Sequence, residues 1–280
     1  MTMRSISQFL VASVVALFAV ALPAQAQRKT PTVDQMLNNT GGLGTEFWIA
    51  IPPNEINPYP TDELEVYVAS AYDTEIEVFD AAGAKTYKRQ LKAYEIRTLS
   101  DSRGETNWTW ECREPEQVVK KAIRIKSKKP ISVYVINSKV FTSDGFMAIP
   151  VSGWGREYLA TSYYDFREVD QWAGGFIVIG RENGTSVDIQ LRGTGELDAR
   201  TAGGKTINGA PFTIMLDEGD VYMVKGDGQT RGIFDLTGSK ITADKPIGLV
   251  SFHERSTMPN LLVNGNGRNH LCEMTPPSTT

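Results

Sequence analysis

Apolar and polar positions alternate with a period of two along much of the chain. Leu64, Val66 and Val68 alternate with Glu63, Glu65 and Tyr67, and Ile76 and Val78 alternate with Glu75 and Glu77. That period sets branched side chains on one face and acids on the other, as in a strand with one face on a core and one in water. Ile131, Val133 and Val135 repeat the pattern, as do Val187, Ile189 and Leu191, and Phe212, Ile214 and Leu216. Short continuous apolar runs occur at Phe47–Ile51, Phe176–Ile179 and Ile247–Val250, the first stopped by Pro52-Pro53. Between these runs lie Ala82-Gly83, Glu182-Asn183-Gly184, Gly203-Gly204, Asn208-Gly209, Asp227-Gly228 and Asn264–Gly267, residues that accept the backbone angles of tight turns. Helical periodicity is weak; short helical turns fit only near Glu116–Lys120 and Trp154–Tyr158. The pattern predicts an all-β fold of antiparallel, sandwich-like units.

The chain is also similar to itself. Gly44-Thr45-Glu46-Phe47 pairs with Gly155-Arg156-Glu157-Tyr158, Tyr67-Val68-Ala69 with Val178-Ile179-Gly180, and Thr74–Val78 with Thr185–Ile189. Ile125–Ile131, with its Lys129-Pro130, pairs with Ile241–Ile247, with its Lys245-Pro246. Four matches in one order predict an internal duplication, with units at 41–153 and 154–271. Residues 272–280 then read as a tail or as the start of a truncated continuation. Each Lys-Pro step is expected to begin a strand, where a missing donor breaks no interior ladder.

The N-terminus changes the picture of where this fold operates. Arg4 precedes an apolar run from Phe9 to Leu22, and Ala24-Gln25-Ala26 follows with small residues at the two positions a signal peptidase reads. Residues 1–26 therefore read as a signal peptide and 27–40 as a linker; the run is short for a spanning helix. Secreted, cell-surface or periplasmic placement follows. The net charge of −4, without a basic cluster beyond the strand-like Lys120–Lys129 stretch, argues against nucleic acid as a partner. The two cysteines, Cys112 and Cys272, are either a disulfide between the units, which an oxidising compartment permits, or two buried thiols.

Chemistry-bearing motifs are sparse. No Gly-x-Ser-x-Gly elbow, His-Glu-x-x-His pair or phosphate-cradling glycine loop before a helix occurs, and no cofactor or metal is expected. His253 and His270 lack ligand spacing, and Asp165, Glu168 and Asp170 match no known calcium loop. Trp108, Trp110 and Trp172, with Tyr163 and Tyr164, are the candidate contact residues. Their rings suit stacking on a sugar or an apolar protein surface, or else plug the core or the seam between units. Edge strands offer a second route to binding.

Several stretches resemble the N-terminal domain of the IgG Fc-binding protein family, over roughly Gly41 to Pro277. They include Thr142–Phe146 with Ile149-Pro150, Tyr158–Tyr163, Glu182–Val187, Asp235–Ile241, Thr242–Ile247, Ser251-Phe252-His253 and His270–Glu273. The resemblance implies an extracellular interaction role. Upstream of His270, Gly267-Arg268-Asn269 stand where relatives tend to carry a further cysteine, so the family's disulfide pattern does not carry over. The sequence thus reads as a non-enzymatic binding or adhesion module for a protein or glycan. A structural module of a larger surface protein, and a carbohydrate-active enzyme, are the alternatives.

Overall fold

The computed structural model describes residues 42–55, 63–80, 83–100, 110–163, 172–193, 200–227, 235–258 and 267–278. The signal-peptide and linker expectations fall outside these residues. So do Trp108, Tyr164 and the acidic set Asp165, Glu168 and Asp170.

Two 17-residue strands, Ile123–Lys139 and Lys240–Ser256, organise the two units. In chain order the first unit holds β1 (Gly44–Ile49), β2 (Glu63–Ala69), β3 (Thr74–Phe79), β4 (Lys85–Leu91) and β5 (Ile96–Ser100). It continues with β6 (Val118–Lys120), the long β7 (Ile123–Lys139) and β8 (Thr142–Met147). A 3-10 turn at Val151–Gly153 leads to β9 (Gly155–Leu159), β10 (Gly174–Ile179), β11 (Thr185–Gln190), β12 (Phe212–Leu216) and β13 (Asp220–Lys225). The long β14 (Lys240–Ser256) and β15 (Asn269–Met274) complete the second unit. The segments at Glu116–Lys120 and Trp154–Tyr158, compatible with helical turns on sequence, contain β6 and β9; pairing with β13 and β14 decides their conformation.

Each long strand serves two layers. The first part of β7 pairs with β1 and β3, and its second part with β2 and β8. The first part of β14 pairs with β9 and β11, and its second part with β10 and β15. Pro130 and Pro246 lie at the crossing point rather than at a strand start, because a residue without an N–H suits the place where the ladder changes partners. The neighbouring strands register this corner: β1 jumps from Lys126 to Ile131, and β9 from Thr242 to Ile247.

The duplication is carried by topology as well as sequence. The pairs β3–β4 and β2–β5 recur as β11–β12 and β10–β13. Registers agree residue by residue: Phe47 opposes Ile125 as Tyr158 opposes Ile241, and Val78 opposes Ile125 as Ile189 opposes Ile241. After β8, Ala148 N–H donates to Val133 O at 2.8 Å; after β15, Thr275 N–H donates to Leu249 O at 2.8 Å. The β2–β10 correspondence is one residue off the simple sequence offset. Val68 opposes Val133, and Val178 opposes Leu249, so Val178 is the structural counterpart of Val68.

The units share a core. Val187, Ile189, Ile241, Phe176, Val178 and Leu249 belong to a cluster within the second unit. Ile177, Ile179, Val221, Met223, Val250 and Met274, on the opposite face of the same sheet, belong to the cluster that fills the first unit. Both faces of β10 are therefore buried. β6 crosses from the first unit and pairs antiparallel with β13, joining the units by backbone as well as by apolar contact.

Candidate binding surface

The residues singled out in the sequence do not converge. Trp110 is partly buried and packs against the first-unit core. Trp172, on the approach to β10, is half-buried beneath two guanidinium groups, with Arg255 5.2 Å and Arg268 5.6 Å from its ring. Cation–π contacts of this kind occupy the ring that a sugar would stack on. Tyr163 is half-buried and lines a cleft of about 240 Å³ with Asp144, Ser162, His253, Met258 and Glu273. Cys112 and Cys272 are free buried thiols rather than a disulfide, both within the first-unit cluster. Burial pushes the Cys112 thiol up to about 12 and raises that of Cys272 further, so neither is a reactive thiolate.

The polar residues around the junction form several buried contacts, although Glu55 Oε1, Arg255 Nε and His270 Nε2 are buried without a hydrogen-bond partner among the described residues. Glu111 Oε1 accepts from Asn54 N–H at 2.8 Å and Asn137 Nδ2 at 3.0 Å, and its Oε2 from Arg113 Nε at 2.7 Å. Glu55 of the first unit pairs with Arg255 of the second. Glu254 accepts from Lys225 Nζ at 2.6 Å and Ala173 N–H at 2.9 Å, while burial raises its carboxyl pKa. β8 and β15 meet through side chains: Ser143 N–H donates to Asn269 Oδ1 at 2.7 Å and Cys272 N–H to Asp144 Oδ2 at 2.8 Å. His270 Nδ1 donates to His253 O at 2.9 Å, and His253 Nδ1 accepts from Arg255 N–H at 3.1 Å. Desolvation pushes His253 down to about 3, helped by His270 and Lys225, and His270 down to about 4. Both rings are neutral struts. Among these charge pairs, Glu55–Arg255 joins the two units. Among the described residues, no group of three or more His, Cys, Asp or Glu side chains could hold a metal ion.

The surface that sequence reading missed is the outward face of the β5-β2-β7-β8 sheet. Thr98, Tyr67, Tyr134 and Met147 lie side by side across it. Ile96, Ala69 and Ser132 form the adjoining row. Ile96 is 66%, Tyr134 43% and Met147 39% exposed. At one end of this face, Leu43, Ala69, Tyr72, Tyr94, Pro130 and Ser132 line a cleft of about 310 Å³.

The corresponding rows of the second unit are Met223, Ile177, Val250 and Met274, and Val221, Ile179 and Gly248. Those that carry side chains are buried against the first unit. There the connecting segment lies over the face: Ile149 N–H approaches Met274 Sδ at 3.1 Å, and Trp154 Nε1 donates to Ile149 O at 3.0 Å. The Trp154 ring lies so close to Gly248 that a Cβ there would stand 2.7 Å from it. In the first unit Leu43 occupies the place of Trp154, and the cleft beside it is open. The sequence signal was present in the alternation of Tyr67, Tyr134 and Met147, but solvent-facing and partner-facing sides look alike until the second unit supplies its buried counterpart.

No curated protein matches the chain. A solved structure of Bacteroides uniformis beta-glucuronidase 2, covalently bound to cyclophellitol-6-carboxylate aziridine, is similar at 9% identity with a TM-score of 0.15. The similarity covers 85% of this chain and 26% of that one, and carries no argument about function. The all-β fold and the family match together support a non-catalytic β-sandwich binding domain. From within β8 to its last residue, the segment 144–280 matches the family described as IgGFc binding protein.

Proposed function

We propose that the protein is an exported binding module that takes up a protein partner on the outward face of the β5-β2-β7-β8 sheet. One observation carries this reading: the equivalent face of the second unit is a protein interface, buried by the first unit. Tyr and Met are enriched in protein interface cores, Tyr as a large ring with few torsions and Met as a polarizable chain that fits irregular surfaces. The signal-like residues 1–26 support export of such a module, and the resemblance to the IgG Fc-binding family agrees with an extracellular interaction role. A glycan reading has less support, since Trp172 is covered by Arg255 and Arg268 and Trp110 packs on the core.

The test is a binding screen of residues 27–280 against arrays of extracellular proteins and of glycans, run beside Tyr134→Asp. Protein hits that vanish in the variant, whose fold is checked by thermal unfolding, are the expected result. Glycan hits indifferent to the variant would overturn the reading.

A further inference from the structure

The second unit does not finish its own sheet. β6, donated by the first unit, lies antiparallel on β13 with Val118, Val119 and Lys120 opposite Tyr222, Val221 and Asp220. Lys120 Nζ reaches Asp220 Oδ1 at 3.0 Å. β5 stands in the first unit where β13 stands in the second: Ile96 opposes Ala69 of β2 as Val221 opposes Ile179 of β10. Glu95 and Ile96 therefore take the places of Asp220 and Val221. Yet β5 ends its sheet, with no strand on its far side among the described residues. Its edge carries no proline, and Ile96 points out beside the exposed Tyr94. Free edges of this kind accept another chain through backbone hydrogen bonds unless they are guarded.

We infer that β5 receives an extended segment of the partner protein as an added antiparallel strand, with a basic residue opposite Glu95 and an apolar residue opposite Ile96. This rests on the protein-binding reading above and names the chemistry of its partner. Glu95 is held by Arg97, but both side chains are about a third exposed, and a pair of that kind is weak in water. An incoming lysine would compete with Arg97 at Glu95 Oε1, while Oε2 accepts from Lys92 N–H at 2.9 Å. The strand supplies affinity through its backbone, and the Tyr134 and Met147 row beside it supplies apolar contact to whatever follows the strand.

The natural probe is a synthetic peptide with the sequence of residues 116–122, which carries the Val-Val-Lys of β6. Isotope-labelled protein of residues 27–280 is titrated with it and followed by amide chemical shifts and hydrogen exchange. Shifts and protection concentrated at residues 95–99 are expected. Ile96→Asp should weaken binding at least about tenfold while the unfolding temperature stays near that of the parent. Glu95→Lys should reverse the preference between this peptide and one carrying Lys120→Glu, an effect that a merely structural role for Glu95 does not produce. No shifts at millimolar peptide would overturn the inference, as would shifts confined to β13 or to the β4 and β12 edges. If the peptide fails while partners from the protein array remain sensitive to Tyr134→Asp, the edge inference falls alone and the protein-binding reading stands.

Discussion

Two sheets of one plan have met different fates. The row Met223, Ile177, Val250 and Met274 is sealed inside the molecule, whereas Thr98, Tyr67, Tyr134 and Met147, in the same positions of the first unit, border solvent. At the two central positions the second unit has Ile177 and Val250 where the first has Tyr67 and Tyr134, rings whose hydroxyls tolerate both water and an apolar partner. The second has an indole over Gly248, and the first has Leu43 near Ser132. The duplicated plan thus presents one face in two states. One copy buries it against its neighbour, and the other leaves it bordering solvent.

Substitutions at equivalent positions test this contrast most sharply. Val250→Asp buries an unpaired carboxylate and should cost about 4 kcal/mol or more. Tyr134→Asp, at the matching position, should stay within about 1 kcal/mol. Denaturant unfolding of both variants reads the difference, and equal losses would refute the equivalence. Next in size, Trp154→Ala removes the ring that closes the seam and should cost about 3 kcal/mol, as large-to-small core changes do.

Between about pH 6.5 and 5.5 the comparison is tested by histidine, since both histidines of the chain belong to the second unit. The unfolded chain takes up their protons below about pH 6.5, but the folded chain refuses them until about pH 3 for His253 and about 4 for His270. Stability is therefore complete above the unfolded value and is lost as the pH falls toward the folded ones. Going from pH 6.5 to 5.5 should cost about 2 kcal/mol for the pair. Unfolding curves across that range check the size, and hydrogen exchange should find the loss in β14 and β15 rather than in β2 and β5. The smallest expected effect is a gain. Leu43→Trp combined with Ser132→Gly copies the second unit's arrangement into the first and should add about 1 kcal/mol by filling the cleft. The same variant should bind the array partners less well, and unchanged binding would separate the cleft from the site.

Much of this architecture was legible in the chain. Alternation at Leu64–Val68 and Thr74–Val78 located β2 and β3, whereas the paired Lys-Pro steps, expected to begin strands, fall inside β7 and β14. Other elements were hidden for identifiable reasons. β4 has little apolar signal because cross-strand charges hold it, with Lys88 3.0 Å from Glu75 and Lys85 2.5 Å from Glu77. β13 carries no clean alternation because water reaches neither of its faces. The candidate site suffered most. A tryptophan draws attention by its size, yet Trp110 and Trp172 are engaged internally, while the open rows consist of ordinary strand residues such as Ile96 and Tyr134. Only a register can show that Tyr134 and Val250 hold the same place, and registers are set by pairing partners far apart in sequence.

The position of the two long hub strands has a consequence for timing. Each arrives late in its unit: β14 starts at Lys240, after β9 to β13, the five strands of its unit that pair with it or complete its layers, have emerged. Nothing can lock β10 against β11 until that hub appears, so assembly waits on distant closures, which are slow to form. A nascent or translocating chain must therefore hold its early hairpins unclasped for most of its passage. Helpers that shield bare strands would be needed during that interval, and not afterwards.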